Sequence, residues 1–346
     1  MTQSAAALET DEPLAAMLDR EFEHRSLAAL GNGAAARVPW HLWSKALYVP
    51  LRDFLNRPGK AMRSELVGAT YRLAGGKGSP PPELSLFVEA LHAGSLIIDD
   101  IEDDSEERRG LPALHRLYGV PAALNGGSWL YFWAFELLER VPMTLDVRAA
   151  AQRTVTCSLR ECHYGQALDL SIRLEELEPR EVLGTVQTIS ELKTGGLVAL
   201  STALGALVAG ADPSVVDAAT RFGREVGVAL QMLDDLSSIT SDRRRQKGHE
   251  DLTQGKPTWP WAWLSTELDA RAFATLSASL GEVASGASPE PLRRVLRNLV
   301  SSIGRDRVRE HLDRAVARLG QSFPSTSLAP LRHQLERLER CYGPTT

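Results

Sequence analysis

Apolar residues recur every three or four positions along most of this chain, the spacing that places side chains on one face of an α-helix. Strict alternation of apolar and polar residues, which indicates a β-strand, is not clear in any stretch. The pattern therefore predicts an all-α fold. The helices that we expect cover residues 40–55, 60 to about 74, 84–101, 121–138, 149–174, 181–210 and 220 to about 241. A polar loop is expected over residues 243–255.

The predicted helix at residues 84–101 is apolar almost all round and ends in a row of acids. Seven of the nine positions from Asp99 to Glu107 carry carboxylates. On a helix, Asp103 lies four residues from Asp99 and three from Asp100, so these side chains project to one side and repel one another. A solvated acidic loop is the simpler interpretation of a charge run, but a buried helix that ends in acids favours a cavity with a metal ion at its mouth. Mg²⁺ fits best, because it is usually held by one or two carboxylates plus substrate phosphates.

The predicted helix at residues 220–241 repeats this arrangement, since an apolar run leads to Gln231, Asp234 and Asp235. Two groups of acids accompanied by many cations indicate a diphosphate bridged to the protein by Mg²⁺. No nucleophile motif is evident, and His92 has no acidic partner by spacing. The predicted chemistry is therefore electrophilic, with a diphosphate leaving group and a carbocation in an apolar, aromatic-lined cavity. The cations in apolar surroundings are Lys60, Arg63, Arg108, Arg109, Lys193, Lys247 and Lys256.

Composition narrows the class of protein and its compartment. Of the 346 residues, 43% are hydrophobic, enough for a substantial core, and we expect one all-α domain over residues 13–346. The formal net charge of −5 gives no bulk reason to expect nucleic acid or an anionic membrane as a partner. The three cysteines lack metal-ligand spacing, which favours free thiols and a cytoplasmic location.

Residues 1–12 lack a basic start and an apolar core, so we expect a disordered tail there rather than a targeting peptide. The longest apolar run, residues 197–211, is shorter than the roughly 20 residues of a membrane span. We therefore expect a core helix and no membrane span. A group of arginines near the C-terminus is expected to form a solvated or interface face. These are Arg293, Arg294, Arg297, Arg305, Arg307 and Arg309.

Six ordered segments between about residues 45 and 260 resemble the trans-isoprenyl diphosphate synthases, the polyprenyl synthetase family. They are Gly59-Lys60-Ala61-Met62-Arg63, His92 to Gly110, Gly165-Gln166 to Asp169, Lys193-Thr194-Gly195, Gln231 to Asp235, and Asp251-Leu252 to Gly255-Lys256-Pro257-Thr258. The resemblance implies an all-α bundle around a central hydrophobic cavity, usually a homodimer. It implies condensation of an allylic diphosphate with isopentenyl diphosphate.

Roles for individual residues follow from this resemblance. Asp99 and Asp103 would hold two Mg²⁺ ions with Asp100 in support, and Asp234 would hold a third with Asp235 behind it. The cations implied for the allylic diphosphate are Arg108, Lys193, Lys247 and Lys256. The residues implied for isopentenyl diphosphate are Lys60, Arg63, His92 and Arg109. Thr194 and Gln231 resemble the groups that steady the carbocation, and the released diphosphate is generally the base in this family.

The second acid motif departs from the family pattern DDxxD, because Ser238 replaces its last acid. Asp234, Ser238 and Asp242 also resemble the [ND]Dxx[ST]xxxE metal motif of class I terpene cyclases. A cyclase, or a prenyltransferase with another acceptor, is therefore the alternative, and an inactive regulatory subunit is a third. A cyclase has no use for a second diphosphate pocket, so the retained isopentenyl diphosphate residues favour chain elongation.

The length of the product depends on how deep the cavity is. Gly94 and Ser95 lie one helical turn deeper than Asp99, and small residues there leave the cavity open, which favours a product of C20 or longer. Aromatic residues of the helix at 121–138 are alternative floors of the cavity, although such residues usually belong to a core. The aromatic candidates are Trp129, Phe132 and Trp133.

Overall fold

A computed structural model describes residues 13–23, 33–59, 61–323 and 328–342. The expected tail at residues 1–12 and the predicted site residue Lys60 lie outside the described residues. Contacts between Cα atoms divide the chain into two compact units. Unit 1 takes its described residues from Met1–Glu65 and Pro80–Pro142, and unit 2 from Leu66–Ser79 and Met143–Thr346.

Helices account for nearly all of the secondary structure in unit 1. In order they are α1 (Leu14–Glu21), α2 (Trp40–Trp43), a π-helical turn (Ser44–Tyr48), α3 (Val49–Leu55), the start of α4 (Met62–Leu73), α5 (Pro82–Glu102), α6 (Leu114–Tyr118) and α7 (Val120–Arg140). Between α5 and α6, the two-residue strands β1 (Glu107–Arg108) and β2 (Leu111–Pro112) pair antiparallel, with Arg108 opposite Leu111.

Unit 2 is also helical. Its elements after α4 are α8 (Leu145–Ser171), α9 (Pro179–Val208), α10 (Pro213–Thr240), a 3₁₀ turn (Asp242–Arg244), α11 (Arg245–Thr253), α12 (Trp259–Glu267), α13 (Ala270–Ala284), α14 (Glu290–Leu319) and α15 (Ala329–Tyr342). A further 3₁₀ turn, Leu174–Glu176, links α8 to α9. The all-α prediction is confirmed. The predicted polar loop at residues 243–255 is wrong, because most of that segment forms α11.

Glycines set the distance between the long helices. In unit 1, a Cβ atom added to Gly94 of α5 would lie 2.7 Å from the carbonyl oxygen of Gly127 on α7. In unit 2, a Cβ atom on Gly223 would lie 2.1 Å from Oγ1 of Thr202. Both distances are too short for a real side chain, so these crossings need glycine. Each acid-bearing helix, α5 and α10, is thereby held close to its neighbour.

One helix among the described residues, α9, is long and apolar enough to cross a membrane by length and composition alone. The predicted apolar run at residues 197–211 is largely the second half of this helix. In its most apolar window 67% of the residues are buried, as expected for the core helix of a soluble fold, so it is weak grounds for a membrane span.

The arginines near the C-terminus do not share one environment. Arg293 is only 1% exposed, so its predicted place on a solvated face is wrong. Arg297, Arg305 and Arg309 line a cavity of about 630 Å³ between α10, α14 and α15. Arg307 pairs with Glu267 at 2.7 Å near the surface.

Candidate active site

The first acid motif occupies the last turn of α5 and the residues that follow it. Asp103 caps the helix, its amide donating to the Asp99 carbonyl at 2.9 Å. Asp100 is fully buried and accepts a hydrogen bond of 2.7 Å from Nε of Arg108. The same guanidinium donates from Nη2 to Oδ2 of Asp99 at 3.2 Å. Arg108 therefore pairs with two adjacent carboxylates of the motif and offsets part of their charge.

The hairpin that carries Arg108 and Arg109 is held by a buried arginine. Arg57, 4% exposed, donates from Nη1 to the carbonyl oxygens of Pro112 at 2.9 Å and Arg108 at 3.3 Å. Arg109 has φ of +58° and donates to the carbonyl oxygen of Arg57 at 3.2 Å. Sequence reasoning missed Arg57, which stands at the helix break before Pro58-Gly59. Its position two residues before the Gly59-Lys60 motif was the one sequence feature that could have indicated a role at the site.

The cations of unit 1 gather beside a neutral histidine. Nη1 of Arg63 lies 3.0 Å from Nε2 of His92. Burial, together with Arg63, Arg109 and Arg108, lowers the pKa of His92 well below its ordinary value, so its ring is neutral and accepts this hydrogen bond. Burial also lowers the pKa of Arg109, an effect that the Glu89 carboxylate opposes. Arginines placed this close together favour an anion in the site.

A chain of hydrogen bonds in unit 2 joins α9, α10 and α12. A Cβ atom on Gly227 would lie 2.5 Å from Cα of Gly195, so two glycines let α9 and α10 approach. At this crossing, Oγ1 of Thr194 donates to Oε1 of Gln231 at 2.7 Å. The amide of Gln231 then donates to Oδ1 of Asp235 at 2.7 Å. The structure thus brings the predicted pair Thr194 and Gln231 into direct contact.

Asp235 is buried, and burial raises its pKa to about 7 although hydrogen bonds from Trp259 and Gln231 oppose the shift. The backbone amide of Trp259, the first residue of α12, donates to Oδ2 of Asp235 at 3.0 Å. Asp235 is therefore engaged by the protein itself. Its position supports the helix that presents Asp234.

Two predicted diphosphate ligands of unit 2 share one carboxylate. Oδ2 of Asp169 accepts from Nζ of Lys193 at 2.6 Å and from Nζ of Lys256 at 3.3 Å. A Cβ atom on Gly165 would lie 2.4 Å from the amide nitrogen of Lys193, so this glycine lets α8 reach α9 and places Asp169 one turn further on. Lys247 pairs with Asp251 at 3.1 Å.

The second acid motif is paired with an arginine that the sequence analysis did not single out. Nη1 of Arg244 donates to Oδ1 of Asp234 and lies 3.2 Å from Oγ of Ser237. The hydroxyl of Ser238 is buried and donates to the carbonyl of Asp235 at 2.8 Å. Asp242, with 79% of its side chain exposed, has its nearest ion-pair partners in Arg293 and Arg297, each at 3.7 Å. Each of the three residues thus has its own partner within the protein, namely Arg244 for Asp234, a backbone carbonyl for Ser238 and two arginines for Asp242.

Comparison with known proteins decides what these motifs belong to. The chain matches the polyprenyl synthetase family over residues 44–299. It belongs to that family.

Curated relatives of the family resemble this chain at about one third identity. A short chain isoprenyl diphosphate synthase of Methanothermobacter thermautotrophicus is 34% identical over 202 residues, covering 58% of this chain and 61% of the relative. A geranylgeranyl diphosphate synthase of Sulfolobus acidocaldarius is 31% identical over 217 residues, covering 61% and 64%. The matched segment thus spans less than two thirds of the length of these two relatives. Their names agree with the predicted class of enzyme.

Solved structures of family members share the fold. A geranylgeranyl pyrophosphate synthase of Corynebacterium glutamicum, complexed with isoprenyl diphosphate and magnesium, superposes with a TM-score of 0.75 at 22% identity and covers 96% of this chain and 99% of its own. A heptaprenyl diphosphate synthase of Staphylococcus aureus superposes with a TM-score of 0.71 at 16% identity, covering 98% and 100%. The predicted isoprenoid synthase fold is confirmed.

The residues predicted to set product length have different surroundings from one another. The close crossing with α7 accounts for glycine at position 94. The hydroxyl of Ser95 donates to the carbonyl of His92 at 2.8 Å. Trp129 stacks on Trp133 with ring centroids 5.2 Å apart, in an aromatic cluster that includes Phe22. Phe132 is 73% exposed, unlike Trp133, which is 2% exposed.

In the part of the chain that the structure describes, no group of three or more Asp, Glu, His or Cys side chains is arranged to hold a metal ion. The carboxylates of the two family motifs instead accept hydrogen bonds from Arg108 and Arg244.

Proposed function

We propose that this chain is a Mg²⁺-dependent prenyltransferase that condenses an allylic diphosphate with isopentenyl diphosphate to a longer trans-polyprenyl diphosphate, C20 or longer. The observation that carries the proposal is the group formed by Arg63, His92 and Arg109. It is a second cationic group, separate in sequence from Lys193 and Lys256, and it is built around a neutral histidine. A reaction with two diphosphate substrates needs two such groups, whereas the ionisation of one substrate needs one.

The donor set fits Mg²⁺ when diphosphate is present. Hard oxygen ligands suit this ion, which keeps several waters and uses substrate phosphates in addition to one or two carboxylates. A carboxylate pair without a third acidic ligand is therefore sufficient. We propose that Asp99 and Asp103, with Asp100 in support, would hold two ions and Asp234 a third. Mg²⁺, when bound, would supply electrophilic stabilisation of the charge on the leaving diphosphate.

The chain's own residues would bind and orient the two substrates. We assign Arg108, Lys193 and Lys256 to the allylic diphosphate, with Lys247 as a further cation. Asp169 holds Lys193 and Lys256 in place before the substrate arrives, because one carboxylate oxygen accepts from both amines. Such preorganisation lowers the cost of orienting the substrate.

A separate group would bind isopentenyl diphosphate. We assign it to Lys60, Arg63, His92 and Arg109. His92 is neutral and lies against Arg63, so the positive charge of this group is carried by the other members. Bidentate guanidinium contacts to phosphate are among the strongest charge-assisted hydrogen bonds.

Thr194 and Gln231 would steady the carbocation. Their side-chain oxygens are hydrogen bonded to each other at 2.7 Å, so both present lone pairs at the α9–α10 crossing. No described side chain is assigned as the base, and the departing diphosphate would take the proton. We further propose that residues 13–346 act as one domain in a cytoplasmic homodimer.

The deciding experiment supplies Mg²⁺ with geranyl, farnesyl or geranylgeranyl diphosphate, each with and without isopentenyl diphosphate. We expect longer diphosphates only when both substrates are present, and none after removal of Mg²⁺ with a chelator. Hydrocarbons or alcohols formed from one substrate would identify a cyclase instead. The Ser238 hydroxyl is bonded to a backbone carbonyl and Asp242 is paired with arginines, which disfavours the cyclase motif.

A further inference from the structure

Arg244 lies where the proposed third metal ligand is found. It ends the 3₁₀ turn Asp242–Arg244, which follows α10 directly and brings the guanidinium back to Asp234. Its Nη1 atom donates to the Asp234 carboxylate and lies 3.2 Å from Oγ of Ser237. The Ser237 hydroxyl donates in turn to the carbonyl of Asp234 at 2.9 Å. The three residues form one hydrogen-bonded group on the last turns of α10.

The turn that carries Arg244 is fixed by buried contacts. Arg293 of α14 donates from Nε to the carbonyl of Ser238 at 3.1 Å and from Nη2 to the carbonyl of Ser241 at 2.8 Å. These bonds occupy carbonyl groups that the end of a helix leaves without an intrahelical partner. A Cβ atom on Gly248 would lie 2.3 Å from the Ser238 carbonyl oxygen, so α11 also packs directly on this helix end. The position of Arg244 is thus set by the frame around it.

Electrostatics keep Arg244 charged at this position. Burial by itself would lower its pKa, but the Asp234 carboxylate, with smaller effects from Tyr342 and Asp251, raises it above its ordinary value. The side chains of Arg244 and Asp234 are 35% and 36% exposed, so solvent weakens the pair without removing it. Asp234 is therefore already matched with a cation from its own chain.

We propose that Arg244 competes with Mg²⁺ for the Asp234 carboxylate, and that ion binding at the second acid motif requires its displacement. This inference rests on the function proposed above. A Mg²⁺ ion approaches its oxygen ligands to about 2.0–2.1 Å, closer than a guanidinium donor, and uses the same lone pairs. Two cations on one carboxylate also repel each other. Arg244 thereby sets the Mg²⁺ concentration at which the motif fills.

The test measures binding rather than turnover. Inorganic diphosphate binding to the full chain is followed by calorimetry at increasing Mg²⁺ concentration, for the unmodified protein, Arg244→Gln and Arg243→Gln. Arg243→Gln is the matched control, because Arg243 is the exposed neighbour of Arg244 and its substitution removes the same charge. We expect Arg244→Gln to need about threefold less Mg²⁺ for half-maximal diphosphate binding, the size of effect expected for a partly exposed ion pair. Arg243→Gln should be unchanged.

Two results for Arg244→Gln would overturn the proposal. An unchanged Mg²⁺ requirement in Arg244→Gln would make the pair purely structural. Weaker diphosphate binding at saturating Mg²⁺ would make Arg244 a diphosphate ligand rather than a competitor. Arg244→Lys keeps the charge but loses the planar guanidinium, so its Mg²⁺ requirement should lie between those of the unmodified protein and Arg244→Gln. This variant provides the test if Arg244→Gln unfolds. If the unmodified protein binds no diphosphate with Mg²⁺, the proposed function itself fails.

Discussion

The two acid motifs of this chain start from the same pattern, an apolar helix that leads to paired aspartates, yet they lie in different surroundings. At the end of α5 in unit 1, acids continue beyond Asp100, and Arg108 reaches back from the hairpin to Asp99 and Asp100. At the end of α10 in unit 2, serines follow Asp235, and Arg244 reaches back to Asp234. In each motif an arginine from the segment that follows the helix thus pairs with the leading aspartate.

The difference is in the number of carboxylates. The first motif has both Asp99 and Asp103, which we propose as a metal-binding pair, and we propose that Arg108 contacts the substrate once ions offset their charge. The second motif presents Asp234 next to a buried Asp235 that is already hydrogen bonded to Trp259 and Gln231. A single carboxylate paired with an arginine binds a cation less well than two carboxylates do. The first motif should therefore dominate metal binding.

The largest expected effect comes from the first motif. Asp99→Ala should lower turnover by about a thousandfold, because metal stabilisation of a leaving diphosphate is worth several kcal/mol. Asp104→Asn is the control within the same acidic run, since Asp104 is 81% exposed and pairs with Arg116 at 2.7 Å. Steady-state kinetics at varied Mg²⁺ would measure both. Substantial Mg²⁺-dependent activity in Asp99→Ala would rule out Asp99 as a ligand.

Restoring the missing acid tests why the second motif differs. Ser238 is buried, its hydroxyl bonded to a backbone carbonyl, so Ser238→Asp would place a carboxylate in the interior rather than beside Asp234. We expect unfolding to become easier by about 2–4 kcal/mol, with no gain in turnover. Ser238→Ala, which loses one hydrogen bond, should cost only about 1 kcal/mol. Thermal unfolding and steady-state kinetics measure both variants. Higher activity in Ser238→Asp would contradict this expectation, because it would show that an acid at position 238 can reach the site.

The pattern of apolar residues predicted the all-α class and the acid-bearing helices well. Helix α5 is observed at Pro82–Glu102 against an expected 84–101, because its apolar surface is nearly continuous. The segment at 243–255 was missed, since α11 is short, polar and only partly buried, so its helical pattern is weak. Such a helix is stabilised mainly by tertiary packing, which cannot be predicted from the local sequence.

Residues that belong to a sequence motif could be singled out in advance, whereas residues that matter through one tertiary contact could not. Thr194 and Gln231 were expected near the chemistry, and they are in direct contact. The contacts of Arg57, Arg244 and Arg293 could not be predicted from periodicity, because they are bonds to backbone carbonyls or to one carboxylate. Contacts of this kind depend on tertiary structure alone.

The close crossing of α9 and α10 concerns the second motif, because it brings Thr194 of α9 next to Gln231 of α10. A Cβ atom in Gly227→Ala would meet Cα of Gly195 at 2.5 Å and the carbonyl oxygen of Thr194 at 2.9 Å. We expect a loss of about 1–3 kcal/mol in the free energy of unfolding, since backbone atoms cannot move aside cheaply. Gly184→Ala is the control in α9, because a Cβ atom there meets nothing within 4 Å, and it should stabilise slightly. Equal stability of the two variants in denaturant unfolding would contradict the close crossing.

A pH-dependent effect, small near neutral pH, concerns the support of α10. Nε2 of His311 on α14 lies 3.0 Å from the carbonyl of Glu225 on α10, so the neutral ring donates to it. Burial and the nearby Arg314 lower the pKa of His311 to about 4, while Glu191 opposes the shift. Between pH 6.5 and 4 the unfolded chain therefore binds a proton that the folded chain does not, and stability falls as the pH is lowered.

Comparing the unmodified protein with His311→Gln isolates this histidine from the other groups that titrate in the same range. Glutamine can still donate to the Glu225 carbonyl but does not take up a proton, so the variant should gain relative stability as the pH falls from 7 to 4. The change in the difference between the two unfolding free energies should reach at most roughly 3 kcal/mol, the value set by the difference between the folded and unfolded pKa. His333→Gln, at an exposed position of α15, is the control. A constant difference across this pH range would mean that His311 does not act as a buried neutral donor to α10.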